Sequence, residues 1–425
     1  MKVFKFGGAS VKDAAGVRNL CDIVGSESDR PLVVVVSAMG KTTNALEGVL
    51  QLALEGKQQE ANQAILKVIE MHRSICQDLF PENHPVFEKL AQAAFDLETA
   101  AHGAPFLSYN QAYDSLVGYG ELLSTQIVSA WLHEKGLNHQ WLDARKYILT
   151  DSSWRMASVK MEETRKQISS LDFSRADIAL TQGFIGSNES GQMTTLGREG
   201  SDYTAALFAW ALGAESLTLW KDVPGVMSAD PAIYPDAEVF SFIPYREAVE
   251  LTYYGASVIH PKTIKPLENA GIPLFVKSFK KPSLPGTRIA AGEATEPAIP
   301  SRIRKTRQVL ITLKPSDLSF VSESMMAGVL HEFHVAGVRI NLMQNSALSL
   351  SVCVDYDPIR IDPLINTLSS RFRLRYNTGL TLLTIRHYLN QPDIIARETN
   401  NQKILLEQRS RSTAQFVYSE NIDNQ

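Results

Sequence analysis

Thr194-Thr195-Leu196-Gly197-Arg198-Glu199-Gly200-Ser201-Asp202-Tyr203-Thr204-Ala205-Ala206 follows an apolar run with strand character, Ile178 to Ile185, and a polar connection holding Gly186 and Gly191. It opens into a helix-like segment, Ala205 to Leu212. A loop of this composition ahead of a helix N-terminus brings backbone N–H groups, the positive end of the helix dipole and the Arg198 guanidinium to one point. That suits an anionic substrate. Ser201 and Asp202 suit equally well the plainer task of capping the helix.

Outward from this loop, strand and helix signals alternate. Val3 to Phe6 is a short strand that runs into Gly7-Gly8-Ala9-Ser10, and Asp13 to Val24 then carries apolar residues at helical spacing. A double-glycine turn between strand and helix lets phosphate oxygens approach the backbone, and Lys5 could reach the same phosphates. A tight packing turn accounts for the glycines as well, and no G-x-x-x-x-G-K-[ST] pattern is present. Leu32 to Val36 is a continuous β-branched run of the kind found in a parallel strand covered on both faces. It ends in Ser37-Ala38-Met39-Gly40-Lys41-Thr42-Thr43-Asn44, where ligands of open α/β sheets bind, so its hydroxyl residues are candidates for substrate contact, although Ser and Thr in such a turn more often just cap the next helix.

Helices are expected over Ala45 to Cys76, Pro85 to Ala101 and Ala112 to Lys135. The last contains Gly118 and Gly120, each costing about 1 kcal/mol relative to alanine, so a close backbone approach is expected there. Glu121 beside them could accept a substrate ammonium or simply lie exposed. A strand at His139 to Leu142, a helix at Met161 to Ser169, a strand at Ser216 to Trp220, the turn Lys221-Asp222-Val223-Pro224-Gly225, a helix at Tyr245 to Leu251, a further helix started by the stretch Tyr254 to Thr263, in which His260 and Lys262 beside Pro261 also fit a fixed turn with a solvated lysine, and a strand at Ile272 to Val276 complete the pattern. Repeated β-α units with glycines at strand ends indicate an α/β domain with a mainly parallel sheet.

A proline-rich stretch, residues 281–306, reads as a linker. Beyond it, strand and helix signals over residues 307–378 follow the β-α-β-β-α-β order, and a shorter unit spans residues 379–425.

Composition sets the frame. At 425 residues, 44% apolar and 21% charged, the chain reads as an ordinary globular protein of more than one domain. A net charge of −4 gives no reason to expect nucleic acid or a membrane surface, and no apolar run is long enough to span a bilayer. Cys21, Cys76 and Cys353 lack metal-ligand spacing and fit buried thiols in a reducing compartment. The expected location is cytoplasmic.

Taken together, Lys5-Phe6-Gly7-Gly8-Ala9-Ser10, Ser37-Ala38 with Thr43-Asn44, Gly120-Glu121, Leu196 to Asp202, Asp222-Val223-Pro224-Gly225 and His260-Pro261-Lys262-Thr263 resemble an aspartate kinase of the amino-acid kinase family. The resemblance covers nearly the whole chain, and the C-terminal units resemble paired ACT domains. It implies a three-layer αβα kinase domain over residues 1–280 and ferredoxin-like α+β ACT units, with L-aspartate phosphorylated by Mg²⁺-ATP on its β-carboxylate as the first step toward lysine, threonine and methionine. By position, Lys5, Gly7, Gly8 and Ser10 would hold the ATP phosphates, with Asp222 at the nucleotide. Ser37, Thr43, Glu121 and Arg198 would hold aspartate, and Ser201 and Asp202 would line the reaction centre. No residue is assigned as a protein metal ligand. An amino-acid effector and a homodimer or higher homo-oligomer built through the ACT units are further implications.

Several positions depart from the family pattern: Ala9, Lys221, Met227, Ala232 and Ser257, most of them on the nucleotide side, and Asn341 and Ala347 in the first ACT-like unit. Lys221 or Lys262 is expected to supply positive charge missing on the nucleotide side. A kinase acting on glutamate, acetylglutamate or a nucleotide, and a catalytically weak amino-acid sensor, are the competing readings.

Overall fold

The computed structural model describes residues 1–256, 259–317, 319–400 and 402–419. The chain divides into two compact units: residues 1–226, 239–249 and 258–296 form the first, and residues 227–238, 250–257 and 297–425 the second.

In the first unit the strands are β1 (Lys2–Phe6), β2 (Leu32–Val36), β3 (His139–Leu142), β4 (Ile178–Gln182), β5 (Ile185–Ser187), β6 (Met193–Thr195), β7 (Ser216–Lys221), β8 (Phe242–Pro244), β9 (Leu274–Ser278) and β10 (Thr287–Ala290). Eight of them form one sheet in the order β3-β4-β2-β1-β7-β9-β10-β8, while β5 and β6 make a separate hairpin. Every pair in the large sheet is parallel except β9–β10. Every residue of β2 and β4 is buried, which is why Leu32 to Val36 reads as an unbroken apolar run. Fully burying each such side chain contributes roughly 1.5–3 kcal/mol. The chain leaves β1 for β2 on one side and returns to β7 on the other, so a crevice opens beyond the carboxyl ends of these strands.

Around the sheet lie α1 (Ala14–Ser26), α2 (Thr42–Leu54), α3 (Gln58–Leu79), α4 (Val86–Gly103), α5 (Tyr109–Val117), α6 (Tyr119–Glu134), α7 (Met161–Ser169), α8 (Gly200–Leu212), α9 (Tyr245–Tyr254) and α10 (Pro261–Ala270). Three expected elements are each interrupted. The helix expected over Ala45 to Cys76 is two helices, because Gly56 adopts a left-handed φ of 75° between α2 and α3. The helix expected over Ala112 to Lys135 breaks at Gly118, where an added Cβ would lie 2.6 Å from the Met193 sulfur. The strand expected over Ile178 to Ile185 is β4 and β5, separated at Gly183 and at Phe184, whose φ is 68°.

The second unit carries β11 (Ser301–Lys314), α11 (Glu323–Val335), β12 (Ile340–Ser346), β13 (Ser349–Asp355), α12 (Pro358–Ser369), β14 (Arg373–Arg386), α13 (Ile394–Thr399), β15 (Lys403–Arg409) and β16 (Thr413–Ser419). Its strands form one antiparallel sheet in the order β12-β13-β11-β14-β16-β15. Alternation along β11 sends Val309, Ile311 and Leu313 to a core with Val329, Phe333, Leu364 and Leu368. Leu310 faces the other way, onto Leu342, Cys353 and Leu380.

The stretch 281–306 is not a featureless linker. It supplies β10 to the first sheet and the opening of β11 to the second, because Thr287–Ala290 and Ser301 onward keep the backbone pairing that proline denies only at its own positions. The boundary expected at 378/379 falls inside β14, whose 14 residues run through both ACT-like halves. The three cysteines are free and buried. No helix among the described residues is long and apolar enough to cross a membrane.

Candidate active site

Beyond the carboxyl ends of β1, β2 and β7 lies a cavity of about 910 Å³, lined in part by Lys5, Gly8, Ser37, Thr43, Glu121, Arg198, Ser201, Asp202 and Lys221. Residues separated by almost the whole first unit in sequence thus meet at one crevice.

At its floor, Lys5 Nζ lies 2.6 Å from Asp202 Oδ1, and Lys221 Nζ lies 3.4 Å from Asp202 Oδ2. Strand pairing explains the arrangement. β1 is paired with β7, so Lys5 and Lys221 leave neighbouring strands and converge on the first turn of α8. Burial alone would push the Asp202 carboxyl up, but the Lys5 and Lys221 ammonium groups outweigh it and hold the group below its usual range. The cluster brings two ammonium groups to one carboxylate at the cavity.

The loop that begins α8 is shaped by backbone conformation. Gly197 and Glu199 have φ values of 75° and 53°, which turn the Arg198 side chain outward, exposed at the cavity wall. Glu199 stands at the N-cap without a side-chain cap bond, and its carboxylate accepts from the His260 N–H at 2.8 Å. Ser201 and Asp202 therefore lie inside the first turn and face the cavity; they do not cap the helix. The Gly200 and Asp202 N–H groups donate to the Gly197 and Glu199 carbonyls, so these two donors are already engaged.

Glu121 is buried at 3% exposure, with Oε1 accepting from the Ala38 N–H at 3.3 Å and Oε2 lacking a hydrogen-bond partner. An orphaned buried carboxylate oxygen is costly unless a ligand satisfies it. Burial pushes the Glu121 carboxyl up to about 8. Gly120 has the close approach its helix position suggests: an added Cβ would lie 2.9 Å from Ala38 Cβ. Because Glu121 holds its proton more tightly folded than unfolded, its contribution to stability is complete below about pH 4.5 and is lost as pH rises through about 8. Glu121→Gln removes this loss, so its unfolding midpoint should exceed that of the parent at about pH 8 and match it near pH 4.5. A variant equally destabilised at both values would show that burial does not govern the group.

The other expected phosphate contacts separate. Gly8 lines the cavity, and an added Cβ there would lie 2.5 Å from the Ala38 carbonyl oxygen, so glycine is needed first to let the turns after β1 and β2 touch. The Ser10 hydroxyl is buried and donates to the Trp220 carbonyl at 3.2 Å, so it fastens the turn to β7 and does not face the cavity. Gly7, Asp222 and Lys262 are not among the cavity-lining residues; Asp222 is exposed and Lys262 sits in the first turn of α10. Met227 and Ala232 belong to the second unit, and Ser257 lies outside the described residues.

Tyr113, Trp154 and Arg155 also line the cavity and carry no motif by which the sequence reveals them. Arg155 comes from an irregular segment between β3 and α7, where the adjacent aromatic-cationic pair Trp154-Arg155 is the signal the sequence offers.

A mainly parallel sheet with a crevice at its switch point and two lysines lining its cavity suits phosphoryl transfer. Residues 1–278 match the amino acid kinase family. Lysine-sensitive aspartokinase 3 of Escherichia coli is 31% identical over 392 residues, covering 90% of this chain and 86% of that protein. Aspartokinase 2 of Arabidopsis thaliana is 31% identical over 83% of this chain and 66% of its own length. The structure of E. coli aspartokinase III with aspartate and ADP, its R-state, superposes with a TM-score of 0.80 at 28% identity, covering 99% of this chain and 96% of that one. The lysine- and aspartate-bound T-state gives 0.81 at 28% identity, covering 98% and 95%. The chain belongs to the amino acid kinase family, as an aspartokinase.

Proposed function

We propose that this chain is an aspartate kinase, transferring the γ-phosphoryl group of ATP to the β-carboxylate of L-aspartate to give 4-phospho-L-aspartate and ADP. This is the first step toward lysine, threonine and methionine. The observation that carries the proposal is the Lys5–Asp202–Lys221 cluster at the floor of a cavity whose walls hold Arg198 and the orphaned Glu121. A β-carboxylate oxygen bonds to the γ-phosphorus while the bond to the β–γ bridging oxygen breaks, and the electron pair leaves with ADP. The nucleophile is already ionised, so no strong base is required. The protein must hold two anions together and neutralise charge on the group in transit.

In this reading Lys5 and Lys221 face the transferred phosphoryl group, and Asp202 keeps both ammonium groups in place. Gly7, Gly8 and the N-terminal turn lie on the phosphate side, with Asp222 and Lys262 toward the nucleotide. Ser37, Thr43 and Ser201 bind aspartate, Arg198 takes its α-carboxylate, and Glu121 faces its ammonium. Among the described residues no group of three potential ligands could hold a metal. Mg²⁺ takes phosphate oxygens and few carboxylates, so it enters with the substrate as MgATP. Trapping the acyl phosphate with hydroxylamine tests the proposal: aspartyl hydroxamate must form only when ATP and aspartate are both present. ADP release with glutamate or a nucleotide in place of aspartate would overturn it.

The second unit is proposed to be regulatory and to join copies of the chain into a homodimer or higher homo-oligomer. Lys305 Nζ lies 3.0 Å from Asn341 Oδ1 and 3.9 Å from Asp355 Oδ2, so a side chain of the protein already presents an ammonium to Asn341. A free lysine needs an anionic partner once desolvated, and the Asn341 carboxamide cannot neutralise it. Lysine is expected to inhibit weakly or not at all, leaving neutral threonine as the candidate effector. Titration of both into the hydroxamate assay, with Asn341→Asp alongside, checks this. Strong inhibition of the parent enzyme by micromolar lysine would contradict it.

A further inference from the structure

The segment carrying Arg155 is held in an unusual way. Trp154 and Arg155 have φ values of 38° and 57°, a conformation that non-glycine residues keep only where their surroundings enforce it. Asp114, fully buried in α5, does so. Its two carboxylate oxygens accept the Arg155 N–H at 3.0 and 2.9 Å, the Thr195 N–H at 2.8 Å and the Thr195 hydroxyl at 2.7 Å. One buried carboxylate thus ties the Arg155 segment to the end of β6, three residues before Arg198. The two segments also touch directly, since a Cβ added at Gly197 would lie 3.0 Å from the Arg155 carbonyl oxygen.

The guanidinium itself is positioned by aromatic faces. It lies 4.6 Å from the centre of the Tyr113 ring and 5.2 Å from that of Tyr109, while Tyr113 is fixed by donating its hydroxyl to Glu47 at 2.8 Å. Arg155 is in no side-chain ion pair among the described residues, its charge acting on the buried Asp114 carboxylate at longer range, and it lines the cavity together with Arg198. Aromatic faces restrain a guanidinium without consuming its fork of donors. Arg155 and Arg198 therefore reach the cavity from adjoining segments, both governed by Asp114.

From this arrangement we infer that Arg155 is a second specificity-determining residue of the acceptor pocket, sharing the α-carboxylate of the amino-acid substrate with Arg198, and that Asp114 is the positioning residue for both. The inference rests on the reading of the protein as an aspartate kinase. It adds that the α-carboxylate is held by two guanidiniums.

The test compares aspartate with its α-carboxamide analogue, isoasparagine, which keeps the ammonium and the β-carboxylate but lacks the α-charge. Binding to the full-length parent, Arg155→Ala and Arg155→Lys is measured by calorimetry, and ATP KM is measured in parallel. Arg155→Ala should weaken aspartate binding roughly tenfold or more, the scale of a lost charge-assisted hydrogen bond, with ATP KM unchanged. Arg155→Lys should recover part of the loss. For isoasparagine the parent and Arg155→Ala should bind alike. Arg155 is exposed, so the fold should survive, which unchanged unfolding midpoints will verify. Asp114→Asn should weaken aspartate more than isoasparagine, because it releases both arginine segments. Equal aspartate binding by parent and Arg155→Ala, or an equal penalty with isoasparagine, overturns the inference and leaves the kinase reading intact. A parent protein that neither binds nor phosphorylates aspartate overturns both.

Discussion

Lys5→Met is expected to lower kcat by about 10²–10³, the scale seen when one preorganised donor to developing charge is removed. Lys5 and Asp202 are both buried and 2.6 Å apart, so the ammonium is fixed before substrate arrives and needs little reorganisation as charge spreads over the transferred phosphoryl group. Removing one partner of a buried pair costs about 3–5 kcal/mol where the other is left uncompensated. Here Lys221, 3.4 Å from Asp202, reduces that cost. The two effects are separable. Lys5→Met with Asp202→Asn should regain stability, because no buried charge is stranded, yet remain inactive. Steady-state kinetics beside thermal unfolding read both quantities. Near-normal turnover by folded Lys5→Met would mean that another residue carries the phosphate charge.

The second large effect is expected for Arg198→Ala, through substrate affinity instead of turnover. A guanidinium holds a carboxylate with two parallel hydrogen bonds. At about 1.5 kcal/mol each, their loss corresponds to roughly 10² in aspartate KM. ATP KM should stay near its starting value, because Arg198 stands at the cavity wall while the lysine cluster occupies the floor. Arg198 is exposed, so its removal leaves no buried group unpaired. A rise in ATP KM alone would place this guanidinium on the nucleotide.

The alternation of apolar runs with glycine-containing loops was enough to indicate a mainly parallel sheet, as the parallel pairing of β1, β2 and β4 shows. Arg198, Glu121 and Lys5 stand out in the sequence because each lies beside a glycine or near a strand end, and Asp202 because it follows the same glycine-containing loop; the structure lines one cavity with all four. Ser10 was legible only as a polar residue after a glycine pair. Which way its hydroxyl points is settled by the Trp220 carbonyl, 210 positions later. Likewise the helix breaks at Gly56 and Gly118 could not be told from tolerated helical glycines, because the deciding facts are a left-handed φ in one case and the nearness of Met193 in the other.

By itself, the sequence determined much of the local order: the type and sequence of most strands and helices of the first unit, and which charged residues stand near strand ends. These depend on side-chain period and backbone sterics within a few residues. Only the tertiary structure decided that Lys221 reaches Asp202 and that Ser201 and Asp202 face a cavity instead of capping a helix. It also decided that Asp114 binds both Arg155, 41 positions on, and Thr195, 81 positions on. Such pairings depend on strand order and on the burial of charge, which no short window of residues encodes. A buried carboxylate must find its donors wherever the fold brings them.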